Sequence, residues 1–393
     1  VAPLRERIAA HRAEDIETRH DLHRNPELGY QERRTHDLVC RRLSELGIAH
    51  RGGLAGGTGV LAYLPASTPS SRTVALRADM DALPIQEETG LDYASATPGV
   101  MHACGHDGHT TMLLAAARTL TQVERPNHVL MLFQPAEEGG AGGKRLTQEG
   151  CLRGEILGSR ADVIYGLHGY PGQTVGNVTV RTGPMMASAH EIWIEIKGKG
   201  SHAAYPHYGI DPIVVAAHIV TALQTVASRT INPLESVVVT IGKVDAGVAH
   251  NVIPESARLK GTLRTLNEET FERATSRIRD IVRNVAAAFG AEAEATFNDG
   301  YPVTFNHAEP TERFRQIARE TLGDAHLHEE PTPSMGGEDF SFYGREVPAC
   351  FFFLGIRPEG QETYPNLHAP TFDFNDDALP VGAEMLASLA LRG

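Results

Sequence analysis

Four short apolar runs constrain this chain more than any other feature: VLAYL at 60–64, TVALRAD at 73–79, HVLMLFQP at 128–135 and DVIYGLH at 162–168. A strand without a polar face must be covered on both sides, so these runs predict a mostly parallel sheet between layers of helices. The intervening sequence supplies the cover. Residues 4–24 and 32–46 carry helical apolar spacing, the second ending at Gly47, where a glycine commonly follows the last helical turn. The segment DGHTTMLLAAARTLT at 107–121 is apolar nearly all round, as a helix packed between sheet and neighbours must be.

Near residue 185 the period changes. In HEIWIEIK, Ile192, Ile194 and Ile196 face one way and Glu191, Trp193, Glu195 and Lys197 the other, which predicts a strand with one buried face. A helix at 211–229, strands near 236–245 and 257–265, a helix at 268–289 and a strand near 291–297 complete a βαββαβ order, the ferredoxin-like split unit. After Gly300 the α/β character resumes with a helix at 311–322, the apolar strand CFFFLG at 350–355 and a closing helix at 377–391. The expected organisation is an α/β domain formed by 1–184 plus 300–393, with helices on both faces of its sheet, interrupted by an inserted domain at 185–299.

At 393 residues, 41% hydrophobic and 22% charged, the chain has length for more than one core and is too apolar for disorder. A net charge of −13 argues against nucleic acid or anionic lipid as the main partner, since both require clustered Lys and Arg. Cysteines at 40, 104, 151 and 350 do not make a disulfide framework, which points to a reducing compartment. No apolar run approaches the roughly 18 residues of a membrane span. The opening VAPLRERIAAHRAEDIETRH reads as a charged helix without the apolar segment of a signal peptide, so a cytoplasmic, non-membrane protein is expected.

The remaining signal is 19 histidines, several beside Asp, Glu and Cys. MHACGHDGH at 101–109 places His102, Cys104, His106, Asp107 and His109 where a loop enters a helix. The positive end of a helix favours a thiolate, so Cys104 is expected to bind a cation together with His106, while Asp107 alone would read as a helix cap. QPAEEGG at 134–140 follows an apolar strand, and strand C-termini are where open α/β sheets carry their sites. Adjacent carboxylates diverge there, so one of Glu137 and Glu138 can hold a metal while the other takes a proton from water. His168 in GLHGYP and His368 in LHAP gain weight from position alone. Asp79 and Asp81 in ADMDALP are placed to orient a ligating histidine. The glycine-rich 139–144 stretch is not a phosphate loop: Glu138 stands where its first glycine belongs and Arg145 where a Ser or Thr is needed.

The strings DLHRNPELGYQE, LRADMDALP, HACGHDGHTT, QPAEEG, GLHGYP, GKGSHAAYPHYGIDP, HNVIPE, GGEDFSFY and LHAPTFDF occur in this order from residue 21 to residue 374. Together they resemble the amidohydrolase branch of the aminoacylase/carboxypeptidase G metallopeptidases, which includes hippurate hydrolases, indole-acetyl-amino-acid hydrolases and N-acyl-amino-acid deacylases. The resemblance implies two divalent cations, Zn or Mn, held by Cys104, His106, Glu138, His168 and His368, with Glu137 as general base. It implies that the inserted domain is a lid and dimerisation module, that the protein is a homodimer or higher homo-oligomer, and that His202 stabilises the tetrahedral oxyanion from the partner subunit. Asn251 and Arg264 would hold the substrate's carboxylate, and Gly336 and Gly337 would line its pocket. The substrate implied is a small N-acyl amino acid, cleaved to amino acid and carboxylic acid.

From the residues alone two alternatives stay open. A metal-independent cysteine amidase would use Cys104 as nucleophile and His106 or His109 as base, leaving Glu137, Glu138, His168 and His368 idle. A metal-bearing scaffold without turnover would keep the fold and lose the chemistry.

Overall fold

Strand Thr73–Asp79 is buried along its whole length and lies between two parallel neighbours, His128–Gln134 and Val163–Thr174. It is the centre of an eight-stranded sheet in the computed structural model, which describes residues 2–393. The spatial order is Ala49–Leu54, Gly59–Leu64, His128–Gln134, Thr73–Asp79, Val163–Thr174, Ala349–Arg357, Val178–Val180 and Leu327–Glu329. The middle four strands run parallel, as their two-sided apolarity requires, and antiparallel pairs join Gly59–Leu64 and Val178–Val180 on either flank.

Helix His106–Thr121 packs on Ala378–Arg392 and on strand Thr73–Asp79. Val74, Leu76, Met112, Met131, Phe133, Tyr165, Phe352, Leu354 and Leu386 belong to one buried cluster, each large apolar side chain contributing about 1.5–3 kcal/mol of burial. The helix expected at 4–24 is two helices, Ala2–Ala9 and Arg12–Arg24, separated by a turn in which the His11 N–H bonds back to the Ile8 carbonyl.

The chain divides into two units. The larger holds the residues up to Met185, Phe305–Thr332 and Asp339–Gly393; the smaller holds Met186–Thr304 and Pro333–Glu338. The smaller unit has four antiparallel strands in the order Val237–Ala246, Ser256–Thr265, His190–Lys197 and Glu292–Phe297, the ferredoxin-like arrangement. Ile192, Ile194 and Ile196 meet Val215, Ile219, Leu223, Ile278 and Val282 in its core, and Trp193 on the other face is exposed. Its helices start where their caps dictate: the Asp211 side chain accepts the Ile213 N–H with Pro212 behind it, and the Asn267 side chain accepts the Thr270 N–H, both at 2.8 Å.

One helix among the described residues, Pro212–Thr230, is long and apolar enough by length and composition alone to cross a membrane, although it is not an unbroken apolar run. His218, Gln224, Ser228 and Arg229 interrupt the run in sequence, while Val215, Ala216, Ile219, Leu223 and Val226 bury one side of it in the small core.

Candidate metal centre

Strand register levels the ends that carry the site. Asp79 is paired with Gln134, and Arg77 with Gly166, so that two residues further on Asp79 and His168 emerge at the same C-terminal edge. After Gln134 the chain turns sharply, with Ala136 held at φ 53°. This left-handed backbone is costly for a residue with a Cβ, by about 1–2 kcal/mol. It is kept by buried Glu32, whose Oε1 accepts the Ala136 N–H at 2.8 Å and whose Oε2 accepts the Thr58 hydroxyl at 2.8 Å. Helix His106–Thr121 begins after Gly105, at φ 88°, where a Cβ would lie 2.8 Å from the Phe374 ring. His368 also adopts a left-handed backbone, φ 65°, and its N–H bonds to the Ala103 carbonyl at 2.8 Å, tying the C-terminal segment to the Cys104 loop.

These loops bring the ligand candidates together. Cys104, His106 and His168 form one group whose donor atoms all lie within 4.8 Å of one another; Cys104, Glu138 and His368 form a second, and His106, Glu137 and Glu138 a third. Cys104 Sγ is 3.2 Å from His168 Nε2, and His368 Nε2 is 3.0 Å from Glu138 Oε1. Cys104, His106, His168 and Glu137 are buried, whereas the His368 side chain is half exposed, leaving one approach open.

The expected orienting role falls to Asp81, whose Oδ1 takes the His106 Nδ1–H at 3.2 Å. The same carboxylate accepts the backbone N–H groups of Glu137 and Glu138 at 3.0 and 2.9 Å. Asp79 instead receives His109 Nδ1 at 2.6 Å and Arg77 at 2.7 Å, and lies 3.7 Å from His106 Nε2. His106 Nε2 is buried without a hydrogen-bond partner among the described residues. Imidazoles, carboxylates and a thiol around such an orphaned nitrogen fit a borderline divalent cation.

Electrostatics agree. Burial would raise the Asp79 carboxyl, but His106, Arg77 and His109 hold it well below the ordinary range. Burial lowers His106, yet Asp79 and Asp81 outweigh it and raise the imidazole to about 10, a measure of how negatively charged its surroundings are. His168 is pushed well down by burial and then by His109 and His106, leaving it neutral with a free lone pair.

Cys104 departs from the expectation of a ready thiolate. Burial, then Glu138, Glu137 and Asp79, raise its thiol well above the usual range, overriding the helix end. A thiol held protonated in this way is a poor nucleophile, which weighs against a cysteine amidase, and a neighbouring cation would favour its ionisation.

The other sequence candidates lie in the smaller unit. His202, on the two-residue strand Ser201–His202, is exposed and faces Val252 across a short ribbon; the neighbouring Ala203 N–H bonds to the Asn251 carbonyl at 3.0 Å. The Ala204 N–H donates to His202 Nδ1 at 3.1 Å, so the ring proton sits on Nε2, free to donate. Arg264 is half-buried, with no hydrogen-bond or ion-pair partner given by the described residues, and a Cβ on Gly337 would come within 2.9 Å of its Nη1. Gly336, beside it, is exposed.

Three further residues, Arg77, Asp339 and Glu32, had no assigned role from sequence, and a fourth, His109, had entered only as a cluster member and alternative base. Arg77, buried at strand centre, bridges Gln134 Oε1 at 2.9 Å, Asp79, and Asp339 Oδ1 at 3.0 Å; a charge inside an apolar run was the legible sign of it. Asp339 in turn gives its N–H to Glu137 Oε1 at 3.4 Å. Glu32 shapes the turn before Glu137, and His109 spends both ring nitrogens inside the protein.

A family model described as peptidase family M20/M25/M40 matches residues 75–392. The N-acetyl-L-cysteine deacetylase of Bacillus subtilis is 39% identical over 380 residues, 96% of this chain and 87% of that protein. The Arabidopsis thaliana IAA-amino acid hydrolase ILR1-like 4 is 39% identical over 380 residues, 95% of this chain and 84% of its own. Among solved structures, the Bacillus subtilis YXEP protein, described as a dinuclear metal binding peptidase, superposes with a TM-score of 0.83 at 34% identity, covering 98% of each chain.

Proposed function

Because the chain belongs to peptidase family M20/M25/M40 and is a dinuclear metal-dependent amidohydrolase, we propose that it cleaves small N-acyl amino acids carrying a free α-carboxylate. In this reading Cys104, His106, Glu138, His168 and His368 hold two cations, Zn or Mn, and Glu137 is the general base. The observation that carries it is the meeting of two donor groups that share Cys104, with Glu137 against His106 and Glu138. When bound, the cations supply Lewis acidity that sharpens a water as nucleophile and polarises the amide carbonyl. Glu137 takes the proton of the attacking water on its carboxylate and passes it to the departing nitrogen, a role its backbone bond to Asp81 and the Asp339 N–H prepare by fixing where that carboxylate stands.

His202 Nε2–H is proposed as the donor that meets the oxyanion, delivered by a partner subunit in a homodimer formed through the smaller unit. Arg264 and Asn251 are proposed to hold the α-carboxylate, with Gly336 and Gly337 bordering the pocket; a half-buried guanidinium with no acid partner among the described residues supports this, since it invites one. Four free thiols favour a reducing, cytoplasmic setting.

The test is a panel of N-acetyl and N-benzoyl amino acids beside their methyl esters, assayed after loading with Zn²⁺ or Mn²⁺. Turnover of the free acids, with KM raised at least tenfold for the esters, is expected. A fully loaded enzyme inactive on every free acid would end the substrate assignment.

A further inference from the structure

We infer that His109 is a positioning residue for His168, acting through the backbone of Gly169, and is not itself a cation ligand; this rests on the proposed dinuclear centre. His109 is almost wholly buried and lies within reach of Asp79 and His106 in an arrangement that by distance alone could pass for a metal triad. Its hydrogen bonds decide otherwise. The Gly169 N–H donates to His109 Nε2 at 2.8 Å, and a backbone amide can only donate, so Nε2 bears the lone pair. The ring proton is then on Nδ1 and is given to Asp79 Oδ1 at 2.6 Å. Both nitrogens are spent.

The next peptide group of the same residue continues the relay. The Gly169 carbonyl can only accept, and it takes the Nδ1–H of His168 at 2.8 Å. That fixes the tautomer of His168 and leaves its Nε2 lone pair free, 3.2 Å from Cys104 Sγ. Asp79, His109, Gly169 and His168 thus form a relay of three hydrogen bonds that ends on a proposed ligand. The space is closed around it: a Cβ on Gly169 would lie 2.8 Å from the Phe374 ring, and the same ring stands edge-on to His109 at 6.0 Å between centroids. Replacing such a partner behind a metal-bound histidine typically weakens binding about 10–100-fold.

Two substitutions separate the halves of the imidazole. His109→Gln places an amide oxygen near Nε2 and keeps the Gly169 bond; His109→Asn places its amide near Nδ1 and keeps only Asp79. In Co²⁺ titrations the Gln variant is expected to bind both equivalents within about threefold of the parent. The Asn variant should bind one equivalent about 10–100-fold more weakly, with shifted visible bands. Equal uptake and an unchanged spectrum in His109→Asn would overturn the inference. Loss of a whole equivalent in both variants, matching His168→Ala, would overturn it in favour of His109 as a ligand.

Imidazole ¹⁵N shifts of the cation-free protein read the relay independently of cation binding. His168 should be protonated on Nδ1 in the parent and in His109→Gln, and a tautomer mixture in His109→Asn. If the parent takes up no cation while this pattern holds, the dinuclear reading falls and the relay stands. An unaltered His168 tautomer in His109→Asn refutes the relay.

Discussion

Asp81 Oδ2 accepts the backbone N–H of Glu138 at 2.9 Å, so a proposed cation ligand on one strand-end loop is aimed by a carboxylate from another. The other oxygen takes the Glu137 N–H and the His106 Nδ1–H, and one side chain thereby fixes three groups of the site. Asp81→Ala strands these donors in a buried place, at about 1–3 kcal/mol for each unsatisfied group. We expect a lower thermal midpoint and at least a tenfold loss of Zn²⁺ affinity by calorimetric titration, with Asp81→Asn intermediate because its amide keeps one acceptor oxygen. Unchanged affinity in Asp81→Ala would show that the loops hold themselves.

Glu137 and Glu138 are neighbours with different surroundings, and they should fail differently. Glu137→Gln removes the proposed proton acceptor, and turnover should drop by about 10²–10⁴ or more while two cations per chain remain by elemental analysis. Glu138→Gln removes a proposed ligand and should lose cation content together with rate. If Glu137→Gln stays active, the base lies elsewhere.

What sequence made legible follows from which interactions are local. Strand Thr73–Asp79 was placed to the residue because both its faces are buried and its apolar run has no other explanation. The alternation of HEIWIEIK gave the one-sided strand His190–Lys197 for the same kind of reason. Ligand and strut could not be told apart in HACGHDGH, because His106 and His109 share a helix and differ only in whether a distant Gly169 N–H consumes a nitrogen. The left-handed backbone at Ala136 carries no sequence sign, since nothing about alanine announces it; Glu32, far away in sequence, sustains it. His368 drew weight from position and only the family resemblance made it a ligand, because its place beside Glu138 depends on the whole sheet being formed.

His23 lies beneath the Cys104 loop, buried, with Nδ1 2.9 Å from Asp107 and Nε2 3.4 Å from Glu87. Burial alone would lower its pKa, but hydrogen bonds to Asp107 and Glu87 raise it from 6.5 to about 9. The native state therefore holds a proton that the unfolded chain releases earlier. The stabilisation, on the order of 3 kcal/mol, is fully present below pH 6.5 and is lost as pH rises through 9. Thermal midpoints of the parent should fall across that window and those of His23→Gln should fall less. Parallel profiles for the two proteins would exclude the His23 linkage.

Glu32 gives a second, separable pH dependence. Burial raises its carboxyl from 4.5 to about 7; hydrogen bonds from backbone N–H groups and from Thr58 pull it down, and the nearby Asp81 charge adds to the rise. Above pH 4.5 the unfolded chain has released this proton and the native protein has not, so stability declines as pH rises through 7, by on the order of 3 kcal/mol once the native carboxyl is ionised. Glu32→Gln cannot ionise, yet it keeps one oxygen to accept the Ala136 N–H and an amide that can meet the Thr58 hydroxyl. The variant should therefore match or exceed the parent in denaturant midpoint at pH 8 and lose that advantage below pH 4.5. Glu32→Ala makes the opposite case, since it leaves the Ala136 N–H unpaired in its left-handed turn. It should be destabilised at every pH and should weaken cation binding through a displaced Glu138. A Gln variant less stable than the parent at pH 8 would mean that the ionised carboxylate is itself what holds the turn.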